Sequence, residues 1–335
     1  MDKETFDKLE KICQAADWHL QQIQNVIPIL KEIKEKIEEV KNFQYSQYSK
    51  DLVLLKEEVK YLFANPDPDQ RVFQYLKQKL ILENWPEAVP ADYISVTEKE
   101  KELRAGHILD SIIKENLENK KFLDLGCGDG LATKQALRQN CNLAVGYDVK
   151  PNSTWQNNQK LMYTNNFIDV KEKGPYDVIL MYDVLDHCQN PVALLQSAKE
   201  VLGEKADEKA LTGRIYLRCH PWCSRHGGHL YNQLNKAYIH LIFNNKELER
   251  LGLNLEPILE ITDPEREYDK IIKEAGLEIF YKDIKTHPVE DFFKDCVAIQ
   301  QRIKDNFLIK NKEYMPYKTS IEFIDYTLVK KKIEY

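Results

Sequence analysis

Phe122-Leu-Asp-Leu-Gly-Cys-Gly-Asp-Gly130 is the stretch on which the fold turns. Its first four residues read as a buried strand. The glycines that follow let the backbone turn sharply and approach a ligand where a strand ends and a helix begins. Eighteen residues after Gly130, Asp148 closes the next apolar run, Val145-Gly-Tyr-Asp. A carboxylate there can accept hydrogen bonds from both hydroxyls of a ribose. Two details separate this loop from a dinucleotide fingerprint. That fingerprint needs its third glycine at position 131, which is Leu. An acid at position 124, two residues before the first glycine, suits a cationic group better than a pyrophosphate.

Outward from this loop, strand and helix signals alternate, which predicts a mostly parallel sheet with helices on both faces. Strands are expected at Lys121–Leu125, Leu143–Asp148, Asn166–Val170, Asp177–Tyr182 and Arg214–Cys219, with a late pair at Leu277–Ile284 and Ile321–Val329. Helices are expected near 97–118, 130–139, 190–202, 245–251 and 264–275. Leu103, His107, Ile108, Ser111 and Ile112 would form one face of the first. In the last, Asp263 is placed to cap, Pro264 to occupy the first turn and Gly276 to follow the end.

Asp124-x-Gly-x-Gly, then Asp148, then Asp177-Val-Ile-Leu-Met-Tyr-Asp-Val-Leu-Asp-His187 is similar to motifs I, II and IV of class I S-adenosylmethionine (SAM)-dependent methyltransferases. The likeness spans roughly residues 100–285. It implies an α/β, Rossmann-like sheet of seven strands and SAM as cofactor. It also implies roles residue by residue. Gly126 and Gly128 would meet the methionine end of SAM, Asp124 its ammonium and Asp148 its ribose. Asp169 would face the adenine, and Tyr182 and Asp183 would border the sulfonium.

Methyl transfer from a sulfonium is an in-line displacement, so catalysis consists of aligning the acceptor and, where needed, removing its proton. The residue types for this cluster after the fourth and fifth strands, in Asp183-Val-Leu-Asp-His187 and in Cys219-His-Pro-Trp-Cys-Ser-Arg-His-Gly-Gly-His229. Histidines 187, 220, 226, 229 and 240 are expected near one rim. His187, His220 and His226 are candidate general bases, since imidazole titrates near neutrality. Asp183, Asp186, His187 and His229 also offer carboxylate and imidazole ligands for a divalent metal. This set resembles the Glu-x-x-Glu-His … His arrangement of small-RNA 3′-terminal 2′-O-methyltransferases, with Asp replacing both Glu residues. A zinc site from Cys219, Cys223, His226 and His229 is a further alternative, although its spacing matches no common finger. The leading expectation is methyl transfer to an O or N acceptor. A metal-dependent RNA 2′-O-methyltransferase-like enzyme and a non-enzymatic assembly protein that keeps the fold are the alternatives.

Before this domain, residues 1–65 read as a helical extension. Val26, Leu30, Ile33, Ile37 and Val40 are spaced like a coiled-coil seam, with Pro28 interrupting it. A homo-oligomer or a docking partner is the expected cover for such a seam. Residues 66–100, with four prolines and several aromatics, read as a connector or lid, and 101–335 as the methyltransferase domain. A net charge of −6 over 335 residues gives no indication of nucleic-acid binding. No membrane span or signal peptide is expected, and seven scattered cysteines suit a reducing cytoplasm.

Overall fold

Seven strands form one sheet in the order β3-β2-β1-β4-β5-β7-β6. They are β1 (Lys121–Leu125), β2 (Leu143–Tyr147), β3 (Leu161–Thr164), β4 (Val178–Tyr182), β5 (Arg214–Cys219), β6 (Leu277–Thr286) and β7 (Ile321–Lys330). This computed structural model describes residues 24, 27–36, 68–94, 97–204, 213–310 and 312–331. The first five strands run parallel, and β7 is antiparallel to both β5 and β6. The mixed sheet with a late antiparallel pair is the Rossmann-like arrangement expected from the sequence.

The chain divides into two compact units, and the sheet belongs to the larger one, residues 87–238, 254–288 and 315–335. Alternation along the strands explains its layers. Leu123, Leu125, Ile179 and Met181 face one core, together with Leu195 and Ala198 of the helix Pro191–Val201 and Tyr268 and Ile272 of the helix Pro264–Glu274. Phe122, Val178 and Leu180 face the other, with Leu109 and Ile112 of helix α1 (Glu98–Ile112) and Ala136 of helix α2 (Leu131–Arg138). Each such aliphatic side chain contributes about 1.5–3 kcal/mol on burial. These strands are apolar on both faces, so the parallel centre of the sheet needs helices on both sides. Because β1 neighbours both β2 and β4, the strand order reverses beside β1. Ligands of open α/β sheets bind at such switch points, beyond the strands' carboxyl ends.

Two expectations are corrected. The third strand is Leu161–Thr164, and Phe167–Lys173 is a helix whose N-cap Asn166 accepts from the Ile168 amide. The alternation of Ile168 and Val170 mimics a strand, but the Asn cap and the intrahelical bonds take over. Asp263 makes no side-chain cap on the helix that begins at Pro264. Its carboxylate pairs instead with Lys318, at 2.9 Å. Glu267 accepts from the amides of Thr262 and Asp263 in its place.

The smaller unit comprises residues 1–86, 239–253 and 289–314. Its described part is helical, over Pro68–Leu82, Ile239–Ile242, Asn245–Arg250, Asp291–Lys294 and Val297–Ile309. Trp85 is buried against Phe243, Phe292 and Phe293, and Arg302 pairs with Glu247 at 3.0 Å. Most of the expected N-terminal extension, including Val26, Ile37 and Val40 of the seam, lies outside the described residues. Within 27–36, Ile29 and Ile33 are buried while Leu30 is exposed. Among the described residues no helix is long and apolar enough to cross a membrane.

Candidate active site

Strand β1 ends in the glycine loop, and the β2 terminus fixes how the loop turns. The amides of Gly126 and Cys127 both donate to the Tyr147 carbonyl, at 2.7 and 3.0 Å. Gly128 donates to Asp148 Oδ2 at 3.0 Å. The Gly130 amide bonds the Cys127 carbonyl and Leu131 bonds Asp129 Oδ1. Gly126 has φ +92°, and a Cβ there would come 1.9 Å from Val184 Cγ2, so only glycine fits. A phosphate-cradling loop points free amides at its ligand. This loop has already spent five of them. It presents the carboxylates of Asp124, Asp129 and Asp148, the partners suited to an ammonium and to hydroxyls.

A cavity of about 160 Å³ opens at this point. Asp124, Gly126, Cys127, Asp129 and Tyr182 line it from the strand ends, and Lys101, Arg104 and Ile108 line it from α1. Asp124 lies on the buried face of β1 and accepts a hydrogen bond from Thr133 Oγ1 of α2 at 2.8 Å. Burial pushes its pKa up to about 7, against which the Thr133 bond acts only in part. Lys101 and Arg104 were not anticipated, because the sequence places the wrong face of α1 inward. Leu103 and His107 are exposed, whereas Ala105, Leu109 and Ile112 are buried. A shift of one residue in helical phase turns Lys101, Arg104 and Ile108 toward the loop.

Asp169, expected at a strand end, sits in the first turn of the helix Phe167–Lys173. Its Oδ2 accepts from Thr164 Oγ1 at 2.7 Å and its Oδ1 from Asn166 Nδ2 at 3.2 Å, so its carboxylate is engaged locally. Nearer the loop, Trp155 donates through Nε1 to the Gly128 carbonyl and stacks on Tyr163.

Tyr182 and Asp183 stand at the end of β4. The side chains of Tyr93, Tyr182 and Tyr231 are linked by hydrogen bonds, and Arg104 lies over the Tyr93 ring at 4.3 Å. Behind them Arg218 of β5 grips Asp325 of β7 with two bonds, 2.6 and 2.7 Å. Asp183 is held at φ +49°, a left-handed conformation that costs a non-glycine residue roughly 1–2 kcal/mol. Desolvation, with the charge of Asp186 adding to it, raises its pKa to about 7.

Four of the five expected rim histidines meet here. His187 packs on His229, with centroids 4.6 Å apart. His229 packs on His220 at 4.7 Å, and His220 on His226 at 4.1 Å. The fifth, His240, belongs to the helix Ile239–Ile242 of the smaller unit and is not part of this group. His220 and His226 are buried. His220 Nε2 bonds Ser224 Oγ at 3.0 Å, and His226 Nε2 bonds Glu322 at 3.1 Å. Burial lowers the pKa of His226, and the bond to Glu322 opposes this only partly. His187 is the exposed member.

Asp186 is 2% exposed, and its Oδ2 lies 3.0 Å from His229 Nε2 and 3.6 Å from His187 Nε2. The 3.0 Å contact meets ion-pair distance but not hydrogen-bond geometry, so both atoms lack a hydrogen-bond partner. Among the described residues, Asp186, His187 and His229 form the one group with metal-ligand spacing. Asp183 stands outside it, and so do Cys219, Cys223 and His226 of the zinc alternative. Cys223 Sγ instead bonds the Lys318 carbonyl. Gly227 keeps the loop after β5 tight, since a Cβ there would lie 2.3 Å from the Trp222 carbonyl oxygen.

Residues 97–210 match the family model of the Methyltransferase domain. This stretch of the chain is therefore similar to a methyltransferase domain. Three solved structures are similar over most of their length. One is a Listeria monocytogenes protein assigned as a SAM-dependent methyltransferase (12% identity, 69% of this chain and 100% of that one, TM-score 0.42). Another is magnesium protoporphyrin IX methyltransferase from Synechocystis PCC 6803 with bound S-adenosylhomocysteine (15%, 71% and 89%, TM-score 0.39). The third is a SAM-dependent methyltransferase from Mesorhizobium loti (10%, 67% and 96%, TM-score 0.40). No curated protein matches the chain.

Proposed function

We propose that this protein transfers the methyl group of SAM to an oxygen or nitrogen atom of an acceptor bound beside Tyr182 and Asp183. The observation that carries this is the glycine loop, whose amides are spent internally and whose Asp124 and Asp129 line the cavity opposite Lys101 and Arg104. In this reading Asp124 receives the ammonium of SAM, Arg104 and Lys101 its carboxylate, and Asp148 the ribose hydroxyls. Gly126 and Gly128 allow close passage of the methionine chain. Asp169 contributes least of the expected set, since it sits in the first turn of the helix Phe167–Lys173 and is engaged with Thr164 and Asn166 rather than with the glycine loop.

The acceptor's lone pair forms the new bond to the methyl carbon as the carbon–sulfur bond breaks. That electron pair stays on sulfur, giving S-adenosylhomocysteine. The proton left on the acceptor is released to solvent at the rim where His187 is exposed. His220 and His226 support this rim by packing, being buried and bonded to Ser224 and Glu322. The described cysteines are all free thiols, which fits a cytoplasmic setting.

Titration calorimetry with SAM and S-adenosylhomocysteine tests this reading. Saturable binding weakened by Asp148→Ala supports it. No binding at millimolar ligand overturns it.

A further inference from the structure

We propose that Asp186, His187 and His229 bind a divalent transition-metal ion at the C-terminal end of β4, beside Asp183. One potential ligand atom from each of the three lies within 4.8 Å of the others. Around an ion with bonds of about 2.1 Å, neighbouring ligand atoms sit roughly 3.0–3.4 Å apart. The Asp186 carboxylate already stands 3.0 Å from His229 Nε2 and 3.6 Å from His187 Nε2. The third edge therefore needs to close by little more than an ångström, within reach of rotation about the exposed His187 side chain.

Both carboxylate oxygens of Asp186, His229 Nε2 and Asp183 Oδ1 are buried and have no hydrogen-bond partner. Such groups cost on the order of 1–3 kcal/mol each, more when charged. Four of them on one corner is not a chance residue of packing. A cation satisfies the Asp186 and His229 atoms directly. The backbone is also committed to this placement, because Asp183 and His229 are both left-handed, at φ +49° and +53°. Strain of that kind persists only where the surroundings enforce it. Two imidazoles and one carboxylate are borderline donors suited to Mn²⁺, Fe²⁺, Co²⁺ or Zn²⁺ rather than to Ca²⁺. Three protein ligands leave coordination positions for water or for an oxygen of the acceptor.

Metal binding itself does not depend on the methyltransferase reading; only its placement on the acceptor side does. The test uses the full chain, stripped with EDTA and titrated with Co²⁺ followed by visible absorbance. Parallel calorimetry with S-adenosylhomocysteine monitors the cofactor site. One Co²⁺ per chain is expected, with affinity at least about tenfold weaker in Asp186→Asn and in His229→Gln. Should either buried variant fail to fold by circular dichroism, His187→Gln, at an exposed side chain, carries the same expectation. Absence of saturable binding, binding indifferent to these variants, or an intense thiolate-to-cobalt band would each overturn the proposal. S-adenosylhomocysteine binding without metal binding sinks the metal site alone. Metal binding without cofactor binding sinks the methyltransferase reading alone.

Discussion

The Gly128 amide donates to Asp148 Oδ2 at 3.0 Å, so the loop after β1 and the acid after β2 are bonded to each other. The other oxygen of Asp148 accepts from the Lys150 amide, which fixes the carboxylate's orientation. A ribose recognised by Asp148 would thus be recognised by a group that also holds the glycine loop in shape.

Asp148→Ala is expected to weaken S-adenosylhomocysteine binding by roughly 10–100-fold, the loss typical of removing hydrogen bonds to a charged group. Asp148 is only half-buried, so the melting temperature should move little. Calorimetry and thermal denaturation on one preparation check both halves. Equal affinity for variant and parent would remove Asp148 from the site.

Asp124 predicts a pH dependence. Its pKa of about 7 is raised above the ordinary 3.8, so near neutrality the carboxyl is partly protonated. An ammonium binds the ionised form, so SAM affinity should rise as pH increases through about 7. Asp124→Asn keeps the shape and the Thr133 contact while removing the charge. It should weaken binding and flatten the profile. For folding the sign is opposite. The folded protein holds a proton between pH 3.8 and about 7 that the unfolded chain has released. The site's stabilising contribution is therefore present at the acidic end of that window and lost as pH rises.

Arg104 is tested by comparing two ligands, S-adenosylhomocysteine and 5′-methylthioadenosine, which lacks the amino-acid end. The parent should prefer the former strongly. In Arg104→Ala the preference should shrink by about tenfold or more, because a charge-assisted bond is worth roughly 1.5–3 kcal/mol. An undiminished preference would show that the carboxylate lies elsewhere.

Gly227→Ala introduces a methyl group 2.3 Å from the Trp222 carbonyl oxygen, a rigid neighbour. Overpacking of this type costs about 1–3 kcal/mol. A melting temperature lowered by several degrees is expected, with metal affinity reduced in step because His229 follows two residues later. A variant as stable as the parent would mean that this loop relaxes freely.

The centre of the sheet and its loop were legible because apolar strands, glycines and acids there obey local rules. Asp124, Gly126, Gly128 and Asp148 all come together as their spacing implied. The third strand is misplaced in the sequence reading because Phe167, Ile168 and Val170 together suit either state, and Asn166 decides for helix. The place of Arg104 in the cavity lining escapes the sequence for a related reason. Helical phase is set by which face meets the sheet, and α1 has apolar residues on more than one face. The histidines could be gathered to one rim because they follow adjacent strands. Which of them stays buried depends on Ser224 and Glu322, residues 4 and 96 positions away from their partners. His240 was grouped with them by sequence proximity alone, and the chain crosses into the other unit just before it.

The spent amides of the 126–131 loop have a consequence for competition inside a cell. ATP and NAD share the adenine and ribose of SAM. In the SAM reading the loop turns carboxylates outward and keeps its N–H groups for itself, so phosphates would find no amide cradle there, and discrimination would rest on that rather than on a tighter fit. Binding of SAM should then persist in a large excess of ATP, and a single Asp129→Lys exchange should erode that immunity before it harms the fold.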